Sequence, residues 1–194
     1  MQGQSVDIFV HVRVLVGVVL ALGITRILAG LASFVQHRHR KPLYSAHLLW
    51  VAVVLLSAIH FWWFEFGLIN VRPWTFELFV FVLVYAFLFY LLATLLFPDD
   101  IGEYAGYEEY FISRRGWFFG LFAATVPIDV IDTLIKGPAY FHSLGVEYPV
   151  RLTVVFVLSL LAAWTKDRRF HVGFGATYLA YLVVWIDRLY RVLD

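Results

Sequence analysis

Residues 74–97 read WTFELFVFVLVYAFLFYLLATLLF, a run in which Glu77 is the only charged side chain. About 20 apolar residues suffice to cross the hydrocarbon core of a bilayer as a helix. Runs of this kind recur along the chain of 194 residues, which is 62% hydrophobic and 15% charged. Soluble domains are roughly 45–50% apolar and about 25% charged, and a soluble chain of this composition would expose one large apolar surface. The sequence therefore predicts an integral membrane protein.

The apolar runs predict a fold that is all-α: a polytopic bundle of six transmembrane helices in one domain, residues 1–194. Backbone polar groups in lipid must bond within their own segment, which favours helices, and the alternation typical of barrel strands is absent. The first run lacks the basic start and small-residue cleavage site of a signal peptide. The predicted spans are residues 6–35, 45–66, 74–97, 116–135, 150–165 and 170–190.

The charges of the loops predict the orientation of the spans. QHRHRKPLY (36–44) and TKDRRF (165–170) are rich in Lys and Arg, whereas GLINVRP (67–73) and KGPAYFHSLGVEYP (136–149) carry few positive charges. Loops rich in Lys and Arg remain in the cytoplasm. We therefore expect both termini on the outer, non-cytoplasmic side of a membrane, and a bacterial cytoplasmic membrane is the predicted location.

Residues 98–115, PDDIGEYAGYEEYFISRR, form the only long polar stretch. Tyr104, Tyr107 and Tyr110 recur at a spacing of three, which fits a helix lying along the cytoplasmic interface. The alternative is a solvated loop that leads into a longer fourth helix. Either form offers an acidic and aromatic surface to a cytoplasmic partner.

Arg26 in LGITRILAG (22–30) raises the main functional question, because a charge inside hydrocarbon is costly and indicates function. Counted from Val35 at about 1.5 Å per residue, Arg26 lies roughly 13 Å deep. Asp129 in TVPIDVID (125–132) lies roughly 20 Å from the start of its span near Gly116, and Asp132 lies a little further along. The two are three residues apart and so share one helix face. We expect Arg26 to pair with Asp129, with Asp132 as a further candidate partner, and Pro127 to kink that helix.

Other titratable groups fall in the same outer half of the predicted bundle: His60, Glu65 and Arg13, with Glu77 and Asp187 nearer the surface. Together with Arg26, Asp129 and Asp132 they suggest a polar vestibule that is open to the outside and closes near mid-membrane. The alternative interpretation is structural: long side chains extend to the headgroups, His60 bonds within the bundle, and Arg26 forms an ion pair that fixes helix packing.

Three classes of function remain open. The first is a channel or carrier for an ion, a proton or a small anionic solute, which uses such residues at mid-membrane and, in a chain this small, implies a homo-oligomer. The second is a non-catalytic subunit, assembly factor or sensor. Enzymatic activity is not favoured, since no hydrolase, zinc-protease or phosphate-loop motif occurs. The formal charge of +1 does not favour nucleic-acid binding, and no cysteine is present.

The third class is electron transfer through b-type haem, which helical proteins bind with axial histidines. His47 and His60 lie on one span, and His11 and His171 are their candidate partners at the outer and inner depths. The geometry is unfavourable, because thirteen residues place His47 and His60 about 140° apart around the helix. No cofactor is therefore the main expectation, with haem as the alternative.

Overall fold

The computed structural model describes residues 2–36 and 42–190, and side chains from residue 8 onward. Within these ranges the chain forms seven α-helices, two short 3-10 helices and no strand. Residues 37–41 of the predicted basic loop lie outside the described residues. The helices are α1 (Gln2–Gln36), α2 (Ser45–Phe64), α3 (Phe76–Leu96), α4 (Tyr107–Ile135), α5 (Pro138–Ser143), α6 (Glu147–Trp164) and α7 (Arg168–Tyr190).

Six of these helices are each long and apolar enough to cross a membrane, and α5 is the short exception among the described residues. The prediction of an all-α fold with six long apolar helices is confirmed. The chain is therefore compatible with a membrane protein, whereas the side on which its termini lie stays a prediction. A 3-10 helix, Glu65–Asn70, extends α2, so that the second candidate span covers Ser45–Asn70.

Pairwise packing organises the bundle. α1 packs chiefly on α3, α4 on α6 and α3, and α7 on α2, whereas the consecutive helices α6 and α7 contact each other little. Aromatic rings fill the interior around Trp50, whose ring meets those of Phe119, Phe122 and Phe174 at centroid distances of 4.8–5.2 Å. We call the end of the bundle where α2 begins and α6 ends the basic end. The end of the bundle where α2 ends and α6 begins is the cap end.

The polar stretch 98–115 divides into two parts. Residues 98–106 form a loop with a short 3-10 helix at Ile101–Glu103, and α4 begins at Tyr107. Tyr107 and Tyr110 are buried, and the Tyr110 hydroxyl donates to the Leu95 carbonyl at 3.0 Å. The structure thus has the second alternative, a loop that leads into an extended fourth helix, because two of the three tyrosines pack into the bundle.

Candidate functional site

Arg26 does not pair with Asp129. Its Nη2 donates to the Phe97 carbonyl at 2.9 Å and to Oδ1 of Asp99 at 2.5 Å. The Arg26 side chain is 34% exposed and that of Asp99 is 96% exposed. The predicted ion pair is therefore wrong, and the arginine is neutralised at the end of α3.

The depth count failed because α1 extends beyond α3. α1 continues to Gln36, whereas α3 ends at Leu96. A Cβ atom added at Gly30 would overlap the Phe97 ring, which places Gly30 beside the first residue after α3. Arg26 lies one turn earlier on α1, near the basic end, and its long side chain extends to the loop in the way that interfacial arginines do.

Lys136 is a cation whose side chain is completely buried. Its Nζ donates to Oε1 of Glu65 at 3.0 Å and to Oδ2 of Asp132. The side chains of Lys136, Glu65 and Asp132 are 0%, 3% and 0% exposed. The ammonium also lies 3.6 Å from the ring centroid of Phe64, a favourable cation–π contact. We call these three charged residues the lysine triad.

Local structure brings the lysine triad together. Asp132 and Lys136 are four residues apart at the end of α4, so their side chains share one helix face. Glu65 is the first residue of the 3-10 helix that extends α2. A Cβ atom at Gly67 would lie 3.0 Å from Cδ of Lys136, so glycine lets this backbone lie close against the lysine.

The cap over the lysine triad consists of residues 65–70 and α5. The Tyr140 ring of α5 lies 5.8 Å from that of Phe64. Burial raises the pKa of the Tyr140 hydroxyl, and the neighbouring Tyr190 and the carboxylates raise it further, so Tyr140 stays protonated. The predicted vestibule open to the outside is therefore wrong for this cluster, because the cap covers it.

The lysine triad has an unbalanced charge. Two carboxylates share one ammonium, and Glu65 Oε2 and Asp132 Oδ1 are buried without a hydrogen bond to any described residue. Burial of a net charge is costly unless a further charge compensates it. The arrangement therefore favours the uptake of a proton or a small cation between the two carboxylates.

Asp129 lies beside the lysine triad with other partners. Its Oδ2 accepts from the Tyr148 hydroxyl at 2.7 Å, and its Oδ1 from the Tyr85 hydroxyl at 3.2 Å. The nearest guanidinium nitrogen is Nη2 of Arg151, at 4.0 Å. Arg151 also lies 4.6 Å from the Trp185 ring centroid. Asp129 thus connects α4 to α3 and α6, and its cationic neighbour is Arg151.

A cavity of about 60 Å³ lies next to Asp129 and Arg151. Ser57 and His60 of α2 line it, together with Tyr178 of α7 and apolar side chains. Ser57 Oγ, His60 Nε2 and Arg151 Nε are buried and make no hydrogen bond to any described residue. A water needs about 10–15 Å³ and two to four polar partners, so this polar cavity has room for a few waters or a small polar group.

The structure brings four of the six predicted path residues together: Asp129, Asp132, Glu65 and His60 surround or adjoin the lysine triad and the polar cavity. Arg13 instead lies over aromatic rings, 3.5 Å from the Phe66 centroid and 4.4 Å from that of Trp62. Pro127 lies within α4, which continues on both sides of it.

The histidine contacts do not favour the haem alternative. His47 Nε2 lies 2.6 Å from the Leu96 carbonyl, and His171 Nε2 lies 3.1 Å from the Thr165 carbonyl. The Phe111 ring contacts both imidazoles, at 6.1 Å and 5.7 Å. His60 packs against Phe64 at the cap end, and His11 is exposed on α1. Haem binding stays a prediction without support from these contacts, and no cluster of three or more metal-ligating side chains occurs in residues 2–36 and 42–190.

Sequence reasoning missed Lys136, Arg151 and the tyrosines around Asp129. Lys136 directly follows an apolar run, so it was assigned to a loop, although its spacing of four from Asp132 indicates a helical ion pair. Arg151 lies within a predicted span and was the available sign of a second buried cation. No signal in the sequence indicates which tyrosines face Asp129.

No family model matches this sequence, and no curated protein or solved structure is significantly similar to it.

Proposed function

We propose that the protein is a small membrane carrier that couples the movement of a solute to protonation of the lysine triad. The observation that carries the proposal is the pair of buried carboxylates, Glu65 and Asp132, around the single ammonium of Lys136. Proton relays and coupling sites in membranes use buried acidic groups of this kind. The solute site of this proposal is the polar cavity between Asp129, Arg151 and His60.

A carrier fits better than an open channel. Between the polar cavity and the basic end, the interior is filled by aromatic rings such as Trp50, Phe119 and Phe174. A site closed on both sides suits alternating access, in which helices rock around a fixed site. The predicted homo-oligomer and the predicted cytoplasmic partner at residues 98–115 remain part of this proposal.

The second candidate is a non-catalytic membrane subunit in which the lysine triad only holds α2 and α4 together. The complete burial of Lys136 and its contact with Phe64 favour this role, because an ion cluster enclosed in the bundle fixes the arrangement of its helices without moving a solute.

Proton flux in liposomes separates the two candidates. Purified protein is reconstituted with a pH-sensitive dye inside, and a pH gradient is imposed in the presence of each of a set of candidate solutes. We expect wild-type flux above that of protein-free liposomes and a loss of at least about tenfold in Glu65→Gln and Asp132→Asn, since neither amide can be protonated at neutral pH. The matched control is Asp99→Asn, which removes an exposed carboxylate and should leave flux unchanged.

Wild-type liposomes that leak no more than empty ones, over a set of candidate solutes, would refute the carrier. Flux that persists in folded Glu65→Gln and Asp132→Asn would remove the lysine triad from the path. A loss of stability with no flux in any form would favour the structural subunit.

A further inference from the structure

A groove of about 520 Å³ lies between α6 and α7 on the outside of the bundle. α6 packs chiefly on α4 and α7 on α2, so the two helices diverge. Glu147 joins them at the cap end, accepting from Arg188 Nη2 at 2.5 Å and from the Tyr181 hydroxyl at 2.8 Å. The chain itself joins them at the basic end, so the groove is closed at both ends and open at its side.

The wall of the α6–α7 groove is almost wholly apolar. Its lining includes Val150, Val154, Leu158, Phe170 and Gly173. From Tyr178 to Phe170, both in its lining, the groove extends over eight helical rises of α7, or roughly 12 Å. Half of a bilayer hydrocarbon core is about 15 Å. The α6–α7 groove therefore covers most of the length of an acyl chain in one leaflet.

The groove and the polar cavity share part of their lining. Arg151, Val155 and Tyr178 line both spaces. The Arg151 side chain is 11% exposed, and its Nε is buried without a hydrogen bond to any described residue. A buried guanidinium N–H without a hydrogen bond is costly, so an acceptor oxygen bound there would be stabilising. An anionic oxygen forms a stronger hydrogen bond with a guanidinium than a neutral oxygen does.

Asp129 does not provide that acceptor. Its oxygens already accept from Tyr148 and Tyr85, and it lies 4.0 Å from the nearest Arg151 nitrogen, beyond hydrogen-bond distance. The cavity beside Arg151, about 60 Å³, admits a head group of only a few atoms. A carboxylate meets this limit, whereas the glycerophosphate head of a phospholipid exceeds it.

We propose that the α6–α7 groove and the polar cavity together bind one long-chain carboxylate, with its acyl chain in the groove and its head on Arg151. The acid reaches the site sideways from the surrounding lipid. This inference rests on the proposed function in taking the polar cavity as the solute site, and it names the solute class as a fatty acid.

Photolabelling tests the site without any measurement of transport. The protein is placed in phosphatidylcholine nanodiscs with a palmitate analogue that carries a diazirine at the chain end, and the labelled peptides are identified by mass spectrometry. We expect labels near Leu158 and Phe170. Palmitate should compete, whereas hexadecanol, which has the same chain and a neutral head, should compete at least about tenfold less well.

Variants locate the head and the chain. Arg151→Gln should lower labelling by roughly tenfold or more, and Arg151→Lys should retain part of it. Arg72→Gln, which changes an exposed arginine at the cap end that lines neither the groove nor the cavity, is the matched control and should label as wild type. If Arg151→Gln fails to fold, Gly173→Leu takes its place: a Cβ there meets nothing within 4 Å, so the leucine fills the groove without disturbing the bundle.

Several results would overturn the inference. These are labels scattered over all lipid-facing helices, equal competition by hexadecanol, stronger competition by phosphatidylglycerol than by palmitate, or undiminished labelling in folded Arg151→Gln or Gly173→Leu. Because labelling requires no flux, a failed flux assay with successful labelling rejects only the coupled carrier. Flux that depends on the lysine triad, combined with failed labelling, rejects only the fatty acid as the solute.

Discussion

Lys136 and Arg26 are both cations within or next to apolar helices, but their surroundings differ in kind. Lys136 is enclosed by two carboxylates and an aromatic ring. Arg26 extends to the aqueous end of α3, where Asp99 is almost fully exposed. Buried ion pairs lose much when one partner is removed, whereas exposed pairs contribute little. The two residues should therefore respond very differently to the same substitution.

Lys136→Met should destabilise the protein by about 3–5 kcal/mol, because it leaves two buried carboxylates without a counter-charge. The measurement is the free energy of unfolding in mixed micelles with increasing SDS. The double variant Lys136→Met/Asp132→Asn should regain part of the loss, since it removes one of those carboxylates. A Lys136→Met protein as stable as wild type would contradict the burial of an ion cluster.

Arg26→Met should change the same free energy by no more than about 1 kcal/mol, because its ion pair with Asp99 is solvated. Asp99→Asn should have an equally small effect. A loss comparable to that of Lys136→Met would mean that Arg26 has a buried partner after all.

At the scale of residues, the sequence indicated which residues gather at the polar site more readily than which of them form ion pairs. Asp129, Asp132, Glu65 and His60, four of the predicted path residues, lie at the lysine triad or beside the polar cavity, and their role in a path stays a prediction. The partner of Arg26 was predicted wrongly because the depth of Arg26 depends on how far α1 extends past the end of α3. The sequence of one helix does not show where its end lies relative to the end of its neighbour. Lys136 escaped notice because hydropathy places a lysine after an apolar run in a loop.

At the scale of elements, close contacts between helices depend on a few glycines in α1. A Cβ atom at Gly23 would lie 3.3 Å from the Tyr90 Cα, and one at Gly30 would overlap the Phe97 ring. Small residues let helices approach in this way in membranes. The helix that approaches α1 at these glycines is α3, together with the residue that follows it.

Gly30→Ala should destabilise the protein by about 1–3 kcal/mol through overpacking against Phe97. The double variant Gly30→Ala/Phe97→Ala should relieve the overlap, and a double-mutant cycle should give a coupling energy that differs from zero. Gly116→Ala is the matched control: its Cβ meets nothing within 4 Å, and alanine favours helix by up to about 1 kcal/mol. Equal effects at the two glycines would contradict the close approach of α1 and Phe97.

At the scale of the whole molecule, the apolar runs of the sequence predicted an all-helical chain with six long apolar helices, which the structure has. The orientation of the bundle rests on the basic loops and is open to direct measurement. Since the chain contains no cysteine, single cysteines can be introduced without removing native ones.

The Lys166→Cys protein should not react with a membrane-impermeant maleimide added to intact cells, because Lys- and Arg-rich loops face the cytoplasm. The Ser143→Cys protein should react. Ser143 is exposed at the end of α5 and Lys166 lies in the turn between α6 and α7. After permeabilisation both positions should react. The opposite labelling pattern would invert the predicted topology, with the lysine triad then on the cytoplasmic side.

The distance along the chain between Glu65 and Lys136 has a consequence for synthesis. The two residues are separated by 71 positions, and at 5–20 residues per second the ribosome needs roughly 4–14 s to make that interval. During this time α2 has left the ribosome with a carboxyl group whose ammonium does not yet exist. The nascent chain must therefore hold Glu65 in water or in its neutral form until the end of α4 arrives.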